Sequence, residues 1–227
     1  MRPSCMSGGA AKVIPLALIL GILLPCLWEA RAEDTFRLAI RPFLRAKVEN
    51  GGNAGVCPVC RGPYPSGKMA PGAERVLTQL LQEKMEALRT FSVVPTEKVE
   101  EVVFEFDRKQ FEEQLVLSSA ELGRKCQAHF VCVGFLYRYE ERVGSSIGAE
   151  KPASVGLHLH FLRSRDGRWV WTEKFDETQR PLSENILNIG AFLRRKASWL
   201  TAKDLASVGM DEILSRLPAP ETLEEAK

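Results

Sequence analysis

Apolar residues recur at helical spacing over residues 73–89, alternate with polar residues at 36–43 and form a short run at 91–95. The helical spacing predicts an amphipathic helix, and the alternating and the apolar segment each predict a strand. A strand, a helix and a second strand in this order favour a parallel pair joined by a right-handed crossover. The first part of the fold is therefore expected to be an α/β unit.

Two more helices are predicted after this unit. Thr96 is placed to cap a helix over residues 97–104. The run Ser118-Ser119-Ala120-Glu121 has the form of a capping box, so the next helix is expected to begin at Ser118 and to end near Gln127.

From residue 129 the pattern changes to a period of two, which is typical of strands. Strands are predicted at 130–141, 154–163 and 168–176. The Asp166-Gly167 pair predicts a tight hairpin between the last two, which would then be antiparallel.

The C-terminal part is predicted to be helical. Ser183 can cap a helix over 184–195, and Thr201 can cap another over 202–217. Pro218 and Pro220 are expected to end the folded part and to leave a short acidic tail at 219–227.

Together these elements predict a single domain over residues 33–218 of the α/β (α+β) class. The expected architecture is a three-layer sandwich, in which helices flank a mixed sheet of about five strands. Residues 45–72 are rich in Gly and Pro and are expected to form a loop insertion in this domain. A loop of this length is usually functional or mobile.

The N-terminus has the pattern of a secretory signal peptide over residues 1–32. Arg2 and Lys12 precede an apolar run, and small residues follow it at the positions that a signal peptidase reads. Cleavage is expected between Ala32 and Glu33, which would export the domain to the periplasm.

Two alternatives to a cleaved signal stay open. The apolar run at 13–27 could be an uncleaved anchor, although fifteen residues are fewer than the roughly 20 that span a bilayer. Cys26 could carry a lipid anchor, although Pro25 stands where a lipoprotein signal has a small residue.

The formal net charge of +2 arises within residues 1–32, which hold three basic side chains and one acidic side chain. The rest of the chain is neutral overall. Nucleic-acid binding requires clustered Lys and Arg, so we expect no nucleic-acid partner.

Four cysteines follow the predicted signal peptide, and two of them form the motif Cys57-Pro58-Val59-Cys60. A redox-active pair needs its first cysteine at the start of a helix, which the following Gly and Pro residues disfavour. A zinc site needs four ligands, normally two such pairs, although a site shared by two chains stays open. A local disulfide between Cys57 and Cys60 is the favoured interpretation.

Cys126 and Cys132 do not form a second pair and are expected to be small buried hydrophobes. His158 and His160 lie two apart on a predicted strand and so share a face, a spacing that can bind a metal. Because no further ligand for them is obvious in the sequence, the histidine pair, like the cysteine pair, is only a weak metal candidate. We therefore predict no metal and no cofactor.

No GxxxxGK[ST], HExxH or GxGxxG motif occurs, and the acidic residues fall on helix surfaces. No catalytic residues are predicted, and the chain is not expected to be an enzyme. The basic and aromatic residues Arg194, Arg195 and Trp199 are the predicted partner-binding residues. The same segment could alternatively rest on an anionic membrane surface or pack on the sheet.

Four motifs, in this order along residues 36–176, resemble a family of bacterial envelope proteins. The family includes the curli-export lipoprotein CsgG, the lipoprotein activators of penicillin-binding proteins and the N-terminal domain of TolB. The motifs are Pro42-Phe43, the segment 93–103, the unit 120–134 and the hairpin strand 167–171.

This resemblance implies a protein-binding or assembly function at the envelope, with an envelope protein or a second copy as partner and no catalytic residues. The 45–72 insertion departs from the family pattern. The expected function is thus that of a non-enzymatic, exported protein-binding module. The alternative is a periplasmic thiol or metal protein that uses Cys57 and Cys60.

Overall fold

The computed structural model describes residues 35–46, 54–145, 148–179 and 199–226. The chain divides into two units, Met1–Glu33 and Asp34–Lys227, and every described residue lies in the second. The predicted signal cleavage, Cys26, the helix at 184–195 and Arg194 and Arg195 lie outside the described residues.

The described strands are β1 Arg37–Ile40, β2 Leu44–Arg45, β3 Ala54–Val56, β4 Pro63–Pro65, β5 Ser92–Val93, β6 Phe130–Glu140, β7 Val143–Gly144, β8 Ala149–Lys151, β9 Ser154–Arg163 and β10 Arg168–Thr178. The described helices are α1 Ala73–Leu88, α2 Thr96–Phe104, α3 Arg108–Glu113, α4 Leu115–Lys125, α5 Ala202–Leu214 and α6 Pro220–Glu225.

The main sheet is mixed and has the order β10-β9-β6-β1-β5. Its parallel part pairs β1 with β5 and with β6, and its antiparallel part pairs β6 with β9 and β9 with β10. The predicted class, a mixed α/β protein with a mixed sheet flanked by helices, is confirmed. The finer description as a three-layer sandwich stays a prediction.

One face of the sheet packs against α1 and α5. Their apolar stripes meet the inward residues of the strands in one hydrophobic cluster, which includes Leu38, Leu77, Met85, Leu157, Phe161 and Met210. Full burial of such a side chain contributes about 1.5–3 kcal/mol, so this cluster is a main source of stability.

The other face is covered in two different ways. Over β5, β1 and β6 lie α2, α3 and α4, which form the second hydrophobic cluster. Beside them the hairpin β3–β4 lies over β6 and β9, where Tyr64 stacks on Tyr137 of β6 with 4.7 Å between ring centroids and Cys57 contacts His160 of β9. The predicted loop insertion at 45–72 thus contains a hairpin that covers part of β6 and β9.

The segment that contains this hairpin is attached to β6 at both ends. The backbone N–H of Ala46 donates to the carbonyl of Leu136 at 2.7 Å, and that of Gly67 donates to the carbonyl of Tyr137 at 3.1 Å. Both ends therefore meet neighbouring residues of the same strand.

The predicted helix start at Ser118 is wrong. Helix α4 begins at Leu115, and Ser118 and Ser119 lie buried inside it. Their hydroxyl groups accept hydrogen bonds from the guanidinium of Arg41 at 2.8 and 2.7 Å. Because Arg41 is itself buried, it needs acceptors there, and the serines supply them instead of capping the helix.

The C-terminal prediction is correct at its start and differs at its end. Thr201 caps α5 in a full capping box with Asp204. After Leu214, however, the expected tail contains the short helix α6, whose Leu223 is 1% exposed. Arg163 donates to the backbone carbonyls of Glu224 and Ala226, which fixes this helix against the sheet.

We expect Leu223→Ala to lower the free energy of unfolding by about 2–3 kcal/mol, because it removes a buried side chain and leaves a cavity. The measurement is urea unfolding followed by circular dichroism. Thr222→Ala, at an exposed position of the same helix, is the control and should change stability by less than about 0.5 kcal/mol. Equal stability of the two variants would contradict the docking of α6.

Candidate metal centre

The two cysteines of the Cys57-Pro58-Val59-Cys60 motif lie in the loop that joins β3 to β4. The loop is closed by backbone hydrogen bonds from Cys57 N–H to the Gly62 carbonyl, at 2.9 Å, and from Arg61 N–H to the Cys57 carbonyl, at 3.0 Å. Arg61 has a φ of 60°, in the left-handed region, which turns the chain back into β4. The backbone N–H groups of Val59 and Cys60 also hydrogen-bond to Cys57, so the turn is wrapped around this sulfur.

The two histidines come from β9, where side chains two apart point to the same face. His160 Nδ1 lies 2.9 Å from the hydroxyl of Thr172 on the neighbouring strand β10. This contact orients the ring so that its other nitrogen, Nε2, lies 3.3 Å from the sulfur of Cys57. Nδ1 of His158 lies 3.7 Å from the sulfur of Cys60.

Two sulfur atoms and two imidazole nitrogens thus converge, and one such atom from each of the four residues lies within 4.8 Å of all the others. In a tetrahedral zinc site, Zn–S bonds of about 2.3 Å and Zn–N bonds of about 2.0–2.1 Å place sulfur and nitrogen about 3.6 Å apart. The two measured sulfur–nitrogen distances bracket that value. The four residues therefore have the donor set, and near to the spacing, of a Cys₂His₂ zinc site.

Burial sets the protonation of the histidines. His158 and His160 are both buried, and burial lowers the pKa of His158 to about 4 and that of His160 to about 3. The cation of Lys174 adds to the shift of His158, and His158 adds to that of His160. Both rings are therefore neutral at pH 7 and keep a lone pair available for a metal.

The thiols need to lose protons before they can bind a metal. Burial raises the pKa of Cys57 to about 11, although the N–H groups of Cys60 and Val59 act in the opposite direction. Cys57 is 1% exposed, whereas Cys60 is exposed. A cation held by both sulfurs would displace these protons, so its binding should strengthen as the pH rises.

One buried polar atom at the centre lacks compensation. Nε2 of His158 has no hydrogen-bond partner within the described part of the chain. Burying a polar ring without partners is unfavourable. A cation bound at Nδ1 would fix the ring proton on Nε2 without giving it a partner, so this atom is not an argument for the metal.

We expect the stability of the metal-free protein to fall as the pH is lowered from about 6.5 to about 4. In this range the unfolded chain protonates both histidines while the folded chain keeps them neutral, so the unfolded state binds more protons and the free energy of unfolding decreases. Urea unfolding with a chelator present, at several pH values, measures this. The control is the variant with His158→Gln and His160→Gln, which should show a shallower pH dependence; equal slopes for the two proteins would contradict the assignment.

The structure brings together the two residue pairs that the sequence offered only as separate, weak metal candidates. Cys57 and Cys60 are free cysteines in the structure, and each sulfur faces a histidine. The local disulfide stays a prediction that competes with metal binding for the same two sulfurs. Cys132, which was expected in the core, is fully buried there.

Thr172 is a site residue that the sequence did not indicate. Of the predicted partner-binding residues, Trp199 is the one that lies among the described residues. Its side chain is half-buried, and its carbonyl accepts a hydrogen bond from Arg142. Among the described residues, no helix is long and apolar enough to cross a membrane.

Comparison with known proteins gives structural neighbours at low similarity. No protein-family model matches the chain, and no curated protein matches it significantly. The PelC dodecamer of Paraburkholderia phytofirmans is 12% identical, with a TM-score of 0.45 over 80% of this chain and 86% of that chain. The lipoprotein GNA1162 of Neisseria meningitidis is 11% identical, with a TM-score of 0.41 over 71% of this chain and 98% of that chain.

The C-terminal domain of LpoB from Escherichia coli is 12% identical, with a TM-score of 0.40 over 64% of this chain and 84% of that chain. A lipoprotein and LpoB are thus among the structural neighbours, while the resemblance to the curli-export protein and to TolB stays a prediction. At these identities and TM-scores the likeness transfers no function, ligand or partner to this chain.

Proposed function

We propose that this chain is a non-enzymatic, exported zinc-binding protein in which Cys57, Cys60, His158 and His160 hold one Zn²⁺. The observation that carries the proposal is the convergence of two sulfurs from the β3–β4 hairpin and two neutral histidine nitrogens from β9. The metal would act as a structural clamp that fastens the hairpin to the sheet.

The donor set favours zinc. Two thiolates with two imidazoles suit a tetrahedral ion of borderline softness, and oxygen-seeking ions such as Mg²⁺ and Ca²⁺ would find no oxygen ligand among these four residues. Four protein ligands also leave no open position for water or substrate, which is the arrangement of a structural site. This supports a role other than catalysis.

The hairpin needs such a clamp because its own contacts are few. Its strands are three residues long, and Val56 is exposed to solvent. Its buried side chains include Tyr64, which stacks on Tyr137 and lies edge-on to His158, and Cys57, whose sulfur faces His160. Structural zinc supplies about 10–16 kcal/mol of apparent binding free energy in small zinc-binding peptides. This is far more than the buried side chains of the hairpin contribute.

The test is the zinc content of the full chain, purified under reducing conditions with Cys5→Ser and Cys26→Ser. Elemental analysis should give one zinc per chain. After exchange for Co²⁺, the protein should show thiolate-to-cobalt charge-transfer bands and the intense d–d bands of a tetrahedral site. A protein without bound metal that also fails to take up Zn²⁺ or Co²⁺ would overturn the proposal.

We expect Thr172→Val to weaken zinc binding by about 10- to 100-fold, because the hydroxyl that orients His160 is removed while the size of the side chain is kept. Competition with a chromophoric chelator measures the dissociation constant. Thr178→Val, on the same strand but away from the four ligands, is the control. An unchanged affinity for Thr172→Val would show that Thr172 does not orient the ligand.

An exported protein-binding or assembly module is the second function we propose, with an envelope protein or a second copy as partner. The observation that favours it is Phe104 at the end of α2, which is 93% exposed. A side chain this apolar and this exposed is free to pack against a partner. Sedimentation analysis of the wild type and of Phe104→Ser tests self-association, and a monomeric wild type would exclude the second copy as partner.

A further inference from the structure

We propose that the same cysteine pair makes the clamp redox-sensitive: a small disulfide oxidant converts Cys57 and Cys60 into a local disulfide, ejects the zinc and unfastens the hairpin β3–β4 from β9. This inference rests on the zinc-binding function proposed above. It makes the disulfide and the metal site two states of one pair of sulfurs.

The distribution of the four ligands is the first argument. Both sulfurs belong to the hairpin loop, and both nitrogens belong to β9. A metal ion bound by all four therefore cross-links two different elements. A Cys57–Cys60 disulfide lies entirely within the hairpin, so its formation removes the cross-link.

The position of the two thiols is the second argument. They are three residues apart in one closed turn, and the Cys60 side chain hydrogen-bonds to Cys57. Cys60 is exposed, so an oxidant in solution can reach it, whereas Cys57 is buried against His160. Attack from solvent is thus expected at Cys60, with Cys57 as the resolving residue.

The chemistry balances as a thiol–disulfide exchange. The thiolate of Cys60 attacks one sulfur of the oxidant, RSSR, and forms a mixed disulfide while one RS⁻ leaves. The thiolate of Cys57 then attacks Cys60 and expels the second RS⁻. The two cysteine thiolates lose two electrons, the oxidant becomes two thiolates, and Zn²⁺ is released because two of its four ligands no longer carry charge.

The remaining ligands are too few to keep the metal. His158 and His160 are two neutral nitrogens on one strand, and a structural zinc site requires four ligands. Their rings also contact Tyr137 and Phe135, which are buried apolar side chains. Release of the hairpin would therefore expose an aromatic and histidine surface formed by β6 and β9.

The experiment uses the full chain with Cys5→Ser and Cys26→Ser, loaded with one equivalent of zinc and treated with oxidised glutathione. Released zinc is followed with a metal-sensitive dye, the disulfide is mapped by mass spectrometry, and hydrogen exchange is measured over residues 54–67 and 154–163. One zinc should be released per Cys57–Cys60 disulfide formed. Exchange over 54–67 should become at least about tenfold faster, whereas exchange over 154–163 should stay slow because β9 remains paired with β6 and β10. Dithiothreitol with zinc should reverse both the zinc release and the faster exchange of the hairpin.

Two variants sharpen the result. Cys126→Ser removes a thiol outside the clamp and should behave as the parent protein does. The variant with His158→Gln and His160→Gln should bind no zinc and should form the local disulfide faster than the zinc-loaded parent, because no metal protects the thiolates.

The outcomes separate this inference from the function on which it rests. A reduced protein that binds no zinc would overturn the zinc-binding function. A protein that binds zinc but keeps it under oxidant, or that forms the disulfide while hydrogen exchange in the hairpin stays slow, would overturn the redox inference alone. Zinc release without a Cys57–Cys60 disulfide would likewise overturn the inference.

Discussion

Replacing Cys57 with serine is expected to weaken zinc binding by about 10²- to 10³-fold. Structural zinc sites have apparent binding free energies of about 10–16 kcal/mol shared by four ligands, so one ligand accounts for about 3–4 kcal/mol. The sulfur of Cys57 is more buried than that of Cys60. It faces His160, whose orientation Thr172 fixes. Its loss should therefore not be compensated by water.

Competition titrations with chelators of graded affinity measure this change. The matched control is Cys126→Ser, which makes the same chemical change at a buried cysteine that belongs to the core. Its zinc affinity should equal that of the parent protein, even if its stability is lower. If both serine variants bound zinc like the parent protein, the assignment of the site would be wrong.

Saturation with zinc is expected to raise the free energy of unfolding by about 4 kcal/mol when free zinc exceeds the dissociation constant a thousandfold. The folded chain holds the four ligands together, whereas in the unfolded chain about a hundred residues separate the cysteine pair from the histidine pair. Stability should thus increase with the logarithm of the free zinc concentration.

Urea unfolding in zinc-buffered solutions tests this dependence. The variant with His158→Gln and His160→Gln should show a stability that does not change with zinc. A parent protein whose stability is equally independent of zinc would show that the metal, if it binds, is not part of the folded structure.

The strands of the antiparallel part could be predicted closely, because their signals are local. Residues 154–163 show a period of two and match β9 at both ends, and the Asp166-Gly167 pair marks the turn into β10. The capping box of Thr201 is equally local and was predicted correctly. In each case the residues that decide the structure are neighbours in the chain.

The prediction at Ser118 failed because the deciding contact is distant. Arg41 is 77 residues away in sequence, and its need for acceptors in the core places Ser118 and Ser119 within a helix. The hairpin β3–β4 was expected only as loop, since Pro63 and Pro65 lack the N–H groups that regular strand pairing uses.

The sequence indicated the two residue pairs of the metal site but not that they meet. Each pair has a spacing known from metal sites, but Cys60 and His158 lie 98 residues apart, and the sequence does not indicate that the loop folds over β9. Thr172 was beyond prediction for a further reason. Counting back from the Asp166-Gly167 turn pairs His160 with Trp171, and an irregularity between Trp169 and Trp171 shifts the register by one, which brings Thr172 opposite His160.

The attachment of residues 46 and 67 to adjacent positions of β6 has a consequence for motion. Because these two residues pair with adjacent residues of β6, they stay together whether or not the hairpin β3–β4 is bound to β9. Movement of the hairpin away from β9 would break no hydrogen bond between strands of the main sheet. The two attached residues hold the released hairpin close to β9. This gives the hairpin a high effective concentration and leads to rapid rebinding.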